Sequence, residues 1–269
     1  MSNANLSDRN LTNIPSSSTP HDTVAAVDVW LLRSLIAIVA LAPLPLGANR
    51  PLPSALLALA LAFLLMTWAC RNFWGSGMPL PLSAIRWPLA LFALTSLWIF
   101  AQWLPLGLGD PIWAIASDTI DTSLPSRVSV NPNETLAGLM RLLTYGGTFW
   151  LSLQLSRNPD QASIGLKAVA AIGAVYALYG LVIFLTGNKW ILFFPKWAYF
   201  DSLTSTFVNR NSFATYAGIS LLATTTILLT KVRHTLALKW SIRRRIVRLT
   251  ETLLAESVWV LSAFLILLI

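Results

Sequence analysis

Charged residues are scarce in this 269-residue chain. Only 11% of its residues are Asp, Glu, Lys or Arg, whereas 55% are hydrophobic and the mean hydropathy is +0.65. An ordinary soluble domain carries about a quarter of its residues as charged ones, so this chain lacks the charge needed to cover a water-facing surface. A soluble globular enzyme is therefore excluded, and the lipid bilayer is the expected solvent.

Cysteine and histidine are also nearly absent. Cys70 is the single cysteine, which excludes an internal disulfide and a cysteine-rich metal site. The two histidines, His21 and His234, fall on the side assigned below to the cytoplasm, so no outward-facing imidazole is expected as a general base. The sequence contains no phosphate-binding loop, nucleophile elbow, zinc-protease helix or dinucleotide fingerprint, and we expect no metal and no cofactor.

Long apolar stretches are abundant instead. A stretch of about 20 apolar residues is long enough to cross roughly 30 Å of hydrocarbon as a helix. Six such stretches predict an all-α, polytopic membrane helix bundle, with transmembrane helices near residues 30–47, 52–70, 85–104, 136–155, 164–187 and 213–230. A seventh begins near Val258 and is too short to cross before the sequence ends, so we expect the chain to be the front part of a longer protein.

The distribution of the basic residues predicts the orientation of this bundle in the membrane. A cytoplasmic N-terminus places thirteen of the 19 on the inner side: Arg9, Arg33, Arg71, Arg86, Arg157, Lys167, Lys231, Arg233, Lys239, Arg243, Arg244, Arg245 and Arg248. The net charge of +8 is thus explained by topology, and no nucleic-acid partner is predicted. The run SIRRRIVRL at 241–249 is interpreted as the inner topology determinant, with acidic lipid or a partner as the alternative.

The N-terminal segment differs from the rest of the chain. Residues 1–28 are rich in Ser, Asn and Thr and lack an apolar core of the kind that signal peptides have. They predict a disordered cytoplasmic tail that precedes a membrane domain at 29–269.

Two longer loops, at 105–134 and 188–210, fall on the outer side in this topology. The second contains KWILFFPKWAYF at 189–200, the aromatic loop, in which six aromatic residues alternate with Lys189 and Lys196. This composition is typical of an aromatic belt at headgroup depth, and it is also suited to a platform for a lipid-linked substrate. Among the scattered carboxylates of the outer loops, Asp201 is the best candidate for chemistry because it lies close in sequence to the cluster of Asn209, Arg210 and Asn211.

Arg141 lies about six residues into the fourth predicted span. A mid-helix arginine costs about 2.5 to 3.5 kcal/mol in a bilayer, so its presence needs a reason. One interpretation is a side chain that reaches back to the outer headgroups. The other is an anion site inside the bundle, because a guanidinium offers a fork of donors that matches phosphate oxygens.

Asn209, Arg210 and Asn211 stand together immediately before the sixth apolar stretch. Asn211 is the expected N-cap, and the positive end of the helix together with Arg210 is suited to binding an anion. Simple capping beside an arginine that reaches the headgroups is the alternative.

Glycine recurs in the fifth predicted span. Gly165, Gly173, Gly180 and Gly187 follow one another at intervals of 8, 7 and 7 residues, which places them along one side of a helix. Small residues let helix backbones approach closely in a membrane, so the stripe predicts close helix packing.

The segment TSTFVNRNSFATYAG at 204–218 resembles the G-T-F-x-N-x-N-x-F-A signature of the O-antigen ligase and Wzy-type polymerase superfamily. Residues 43–69 resemble the first helical hairpin of that family, and residues 129–157 resemble the helix that carries its buried arginine. Taken in order, these matches cover most of residues 30–220.

The resemblance implies a metal-independent glycosyltransferase of the bacterial inner membrane. Its donor would be an undecaprenyl-diphosphate-linked glycan, transferred to a glycan or lipid acceptor at the periplasmic face in surface-polysaccharide synthesis. By position, Arg141 and Arg210 would contact the donor diphosphate, Asn209 and Asn211 would shape the pocket, and Arg50 is a further candidate. The family's large outer loop with its histidine would follow residue 269, so we expect this chain to be inactive alone.

Two other functions remain open at the level of the sequence. One is a transporter or flippase for a lipid or solute, although neither repeated halves nor broken midplane helices are visible. The other is a non-catalytic membrane subunit that holds an assembly together.

Overall fold

The computed structural model describes residues 20–48, 50–74, 79–237 and 242–268, and in this part of the chain the fold is all-α apart from one small hairpin. The helices are α1 (Pro20–Leu41), α2 (Pro51–Trp74), α3 (Arg86–Trp103), α4 (Ile112–Ile120), α5 (Pro132–Leu155), α6 (Pro159–Leu185), α7 (Arg210–Ala237), α8 (Ile242–Ala255) and α9 (Ser257–Leu267). Short 3-10 turns, Leu46–Ala48 and Leu82–Ile85, precede α2 and α3. The predicted all-α class is confirmed.

Four helical segments are long and apolar enough to cross a membrane: Pro51–Trp74, Leu82–Trp103, Pro159–Leu185 and Arg210–Leu236. Helices α8 and α9 add a fifth if the two, which meet at 77°, are taken as one bent span. The second, third, fifth and sixth predicted spans lie on the four long segments. The chain therefore has the helices of a multi-pass membrane protein.

The fourth predicted span lies on α5, which has 24 residues, whereas the first, 30–47, lies on the 22-residue α1 only as far as Leu41 and continues into the turn before α2. Charged side chains interrupt both helices, with Asp28 and Arg33 in α1 and Glu134 and Arg141 in α5. Helix α1 begins at Pro20, inside the predicted tail 1–28, whose first 19 residues lie outside the described part of the chain.

Helix α1 joins two groups of helices. On one side, Leu31 and Leu35 pack with Leu61 of α2 and Leu151 of α5, and α5 in turn packs on α3. On the other side, α1 contacts α6, where the Tyr176 hydroxyl donates a 2.6 Å hydrogen bond to the Ala40 carbonyl. Because α1 touches both groups, it sets their positions relative to each other.

Helices α6, α7 and α9 form the second group. Their shared core is made of small and branched side chains, with Ala170, Ala223 and Ile227 in one cluster and Ala177, Ala217 and Ile266 in another. Small residues allow backbones to approach closely where lipid supplies no hydrophobic drive for association.

Only two of the four regularly spaced glycines of the α6 region, Gly165, Gly173, Gly180 and Gly187, are closely packed. A Cβ added at Gly173 would overlap Ser220 of α7, and one added at Gly180 would lie 2.8 Å from Leu203 Cδ2. At Gly165 and Gly187 an added Cβ would meet nothing within 4 Å. The predicted close helix packing is thus confirmed at Gly173, whereas Gly180 packs against the loop residues Leu203 and Ser205 and the outer two glycines face open space.

The ends of the bundle differ in character. The loop end is formed by residues 46–50 and 189–211, and the basic end is formed by the C-terminal ends of α2, α5 and α7 together with α8. At the basic end the Arg71 guanidinium and the Asp28 carboxylate form a 2.6 Å ion pair between α2 and α1. Gln154 also accepts from the backbone N–H of Leu80 and donates to its carbonyl, at 2.9 and 3.1 Å.

Candidate functional site

Two segments far apart in sequence meet at the loop end. The Phe207 ring packs against the turn between α1 and α2, where a Cβ added at Gly47 would lie 2.7 Å from Phe207 Cδ1. The same ring lies 5.3 Å from the Tyr216 ring and 5.9 Å from the Phe213 ring of α7, measured between centroids. The α1–α2 turn and the start of α7 therefore belong to one surface.

Arg50 and Arg210 both stack on the aromatic loop. The Arg50 guanidinium lies 5.5 Å from the centre of the Trp197 ring, and the Arg210 guanidinium lies 5.6 Å from the centre of the Tyr199 ring. Both arginines are exposed, and their two aromatic partners are separated by a single residue. The structure thus brings together two of the three predicted arginines on one short stretch of chain.

Asn209 is the residue that caps α7. Its side-chain carbonyl accepts a 2.8 Å hydrogen bond from the backbone N–H of Asn211, and its backbone carbonyl accepts from Phe213 N–H at 3.2 Å. Asn211, predicted as the N-cap, is instead the second residue of the helix. The prediction was wrong because the helix starts before the apolar pattern does, with Asn209 in the capping position.

Arg210 is consequently the first residue of a long helix. The N-terminal end of a helix carries a partial positive charge, so a cation there is disfavoured by about 0.3 to 1 kcal/mol. Contact with the face of the Tyr199 ring offsets part of this cost. An anion in front of the helix would offset the rest.

Arg141 lies elsewhere on the loop-end half of the bundle. Helices α2 and α5 run parallel, because Gly147 is next to Leu61 and the Trp150 ring is 5.9 Å from the Trp68 ring. Arg141 is therefore level with the second turn of α2, and a helical arginine points back toward the helix N-terminus, here the loop end. No hydrogen bond, ion pair or ring contact among the described residues links it to Arg50 or Arg210.

The Arg141 guanidinium is incompletely paired. The side chain is half-buried, and its Nε is buried without a hydrogen-bond partner among the described residues. A buried charged donor without a partner costs about 1 to 3 kcal/mol or more. Such a cost is expected where the partner is a ligand.

The aromatic loop contains the hairpin that the sequence did not predict. Strands β1 (Trp190–Ile191) and β2 (Phe194–Pro195) pair antiparallel, and the Ile191 side chain of β1 is buried. The backbone N–H of Leu192 donates to the Tyr179 hydroxyl of α6 at 3.0 Å. The hairpin leaves most of its aromatic side chains exposed, and Phe193 is 85% exposed.

A cavity of about 250 Å³ lies behind this hairpin, against the C-terminal end of α6. Lys196 and Asp201 line it, and the Lys196 ammonium donates a 2.8 Å hydrogen bond to the Ser202 carbonyl. Burial lowers the pKa of Lys196 because it disfavours the charged form, and the Asp201 carboxylate opposes this shift. Asp201, the carboxylate singled out from the sequence, thus stands beside a cation and a cavity.

Backbone strain is concentrated at the loop end. Six non-glycine residues in the described part of the chain have positive φ, and five of them lie here: Leu46, Ala48, Leu192, Tyr199 and Ser205. A left-handed residue with a Cβ costs about 1 to 3 kcal/mol, and such residues cluster at functional sites. Sequence reasoning missed this feature because leucine, alanine, tyrosine and serine are not residue types that indicate positive φ.

Buried hydroxyl groups lie behind the strained loop. The Ser205 hydroxyl donates a 2.7 Å hydrogen bond to the Tyr176 carbonyl, which secures the loop to α6. Thr206 is 1% exposed, and its hydroxyl has no hydrogen-bond partner among the described residues.

Groups for acid–base or metal chemistry are sparse at the loop end. His234 lies near the C-terminal end of α7, and position 21 is in the first turn of α1, so both histidine positions are at the basic end. Within the described ranges, no three His, Cys, Asp or Glu side chains are grouped so as to hold a metal ion.

Comparison with models of known protein families, with curated proteins and with solved structures finds no match.

Proposed function

We propose that this chain is a multi-pass protein of the bacterial inner membrane that binds an undecaprenyl-diphosphate-linked glycan for its transfer or polymerisation. In this proposal α1 and α5 also span the membrane, which makes six spans before α8 and α9. The N-terminus is cytoplasmic, and the loop end faces the periplasm. The observation that carries the proposal is the placement of Arg50 and Arg210 on neighbouring aromatic residues of one loop.

The stacked geometry suits a diphosphate. A guanidinium lying over an aromatic ring keeps the N–H groups at its edge available, and these form paired hydrogen bonds with phosphate oxygens. The backbone N–H groups at the start of α7, next to Arg210, are a further set of anion-binding donors.

The lipid part of the donor also matches the surroundings. The aromatic loop exposes rings that are suited to headgroup depth, and α2, α3 and α6 expose many leucine, valine and aromatic side chains to lipid. A diphosphate at the loop end would then leave its prenyl chain beside these helices. Arg141, lower in the same half of the bundle, is the candidate for contact with the diphosphate from the membrane side.

Binding of undecaprenyl diphosphate to the purified chain in lipid nanodiscs tests the anion site. Arg50→Ala and Arg210→Ala are each expected to weaken binding by about 10-fold to 100-fold, because each removes charge-assisted hydrogen bonds. Arg127→Ala is the matched control, since Arg127 also stacks on a ring, that of Trp103 at 5.4 Å, but is bonded to the Trp103 carbonyl. Equal affinity of all variants would contradict the site.

Transfer itself is tested with the complete gene product in cells that make the glycan. With expression confirmed, alanine at Arg141 or Arg210 is expected to abolish the covalent glycan product. Movement of the lipid-linked glycan across vesicles without any covalent product would favour a transporter. Full tolerance of both substitutions would favour a non-catalytic subunit.

A further inference from the structure

Helix α8 (Ile242–Ala255) lies at the basic end between two apolar helices. It follows α7 and meets α9 at an angle of 77°. If α9 enters the membrane along the bundle, a helix at this angle to it lies close to the plane of the bilayer.

The surface of α8 is amphipathic and largely uncovered. Arg243, Arg244 and Arg248 are exposed, and Arg248 pairs with Glu251 at 2.9 Å. Four large apolar side chains are also exposed: Ile246, Val247, Leu253 and Leu254, with exposures between 43% and 69%. A helix that exposes apolar and basic side chains together is typical of the membrane interface.

Two contacts hold α8 at its angle. The Thr235 and Thr252 hydroxyls lie 3.1 Å apart and join α7 to α8. The Lys231 ammonium and the Glu256 carboxylate form a 2.9 Å ion pair at the joint between α8 and α9. These contacts fix the orientation of α8, and its four large apolar side chains stay exposed in the described part of the chain.

We propose that α8 is an interfacial helix that binds the headgroups of anionic lipids through Arg243 and Arg244. Its apolar side chains enter the outer part of the hydrocarbon, and the arginine stems extend along the interface to the phosphates. Charge complementarity selects anionic lipid, because each arginine near such a surface contributes attraction that a neutral surface lacks. The alternative, in which Ile246–Ala255 and α9 cross together as one broken span, would place the charged side chains of Arg248 and Glu251 in hydrocarbon at high cost.

Hydrogen exchange of the whole chain in nanodiscs tests this proposal. We expect α8 amides to exchange about tenfold more slowly in nanodiscs with phosphatidylglycerol than in pure phosphatidylcholine, as two arginine–lipid contacts allow. The double variant R243Q/R244Q is expected to lose that difference. The matched control R86Q/R157Q removes two positive charges from the same end outside α8 and is expected to retain it.

The depth of α8 is measured in the same samples. A fluorophore attached to cysteine at position 253, in a Cys70→Ser background, is expected to be quenched by spin-labelled lipid more strongly than one at position 244. Equal exchange of wild-type α8 in both lipids, or equally deep quenching at both positions, would overturn the proposal. No glycan or diphosphate enters these measurements, so their outcome is independent of the proposed function.

Discussion

At the scale of single residues, the candidate site depends on what stands next to each arginine. Arg50 and Arg210 contact aromatic faces, and among the described residues neither forms an ion pair with a carboxylate. The sequence identified Arg210 from its neighbours Asn209 and Asn211, but it contained no information on the ring beneath it. Tyr199 and Trp197 were recognised only as members of an aromatic loop.

We expect substitutions of the two asparagines beside Arg210 to have different effects on the stability of the protein. Asn209→Ala is expected to lower the free energy of unfolding by about 1 kcal/mol, because the N-terminal N–H groups of α7 lose their cap. Asn211→Ala is expected to change it by no more than about 0.5 kcal/mol, since an exposed side chain away from a cap contributes little. Denaturant titration in detergent micelles measures both, and a larger effect at Asn211 would show that the cap is misassigned.

At the scale of elements, α6 and α7 are held together by close backbone approach. Gly173 lies against Ser220, whereas Gly165, on the same helix, faces open space. Both glycines belong to one regular stripe in the sequence, so periodicity alone did not distinguish them. The difference arises because Gly173 is in contact with α7, whereas Gly165 borders an open cavity that α1, α5 and α7 also line.

Leucine substitutions at Gly173 and Gly165 test this difference in packing directly. Gly173→Leu is expected to lower the free energy of unfolding by about 1 to 3 kcal/mol, because the side chain would collide with α7. Gly165→Leu is expected to be neutral or to stabilise by up to about 1 kcal/mol, since it removes a glycine from a helix without a clash. The same detergent titration measures both, and an equal loss at the two positions would contradict the packing of α6 on α7.

At the scale of the whole molecule, the two ends of the bundle differ in charge. Basic side chains gather at the basic end, whereas exposed aromatic side chains occur at both ends, with Phe193 at the loop end and Phe73, Trp74 and Trp87 at the basic end. Aromatic residues at both interfaces and basic residues at one of them are the pattern expected for a membrane protein whose basic end is cytoplasmic.

Cysteine labelling of intact cells tests that placement. In a Cys70→Ser background, cysteine at position 193 is expected to react with a membrane-impermeant maleimide, because Phe193 is 85% exposed at the loop end. Cysteine at position 244 is expected to react only after the membrane is permeabilised. Both are expected to react in detergent, which serves as the control for reactivity, and the reverse pattern in cells would invert the proposed topology.

The amino-acid sequence by itself determined the helical class, the position of the apolar helices and the segregation of basic residues, because these depend on hydropathy and charge within local segments. It did not show where the first helix ends, because the apolar composition continues past Leu41 through the turn that precedes α2. Tertiary structure alone decided that Arg50 and Arg210 share the aromatic loop, that Asn209 caps α7 and that α8 turns by 77° from α9. Each of these depends on contacts or backbone angles between neighbouring elements, and such contacts form only when segments far apart in the chain pack together.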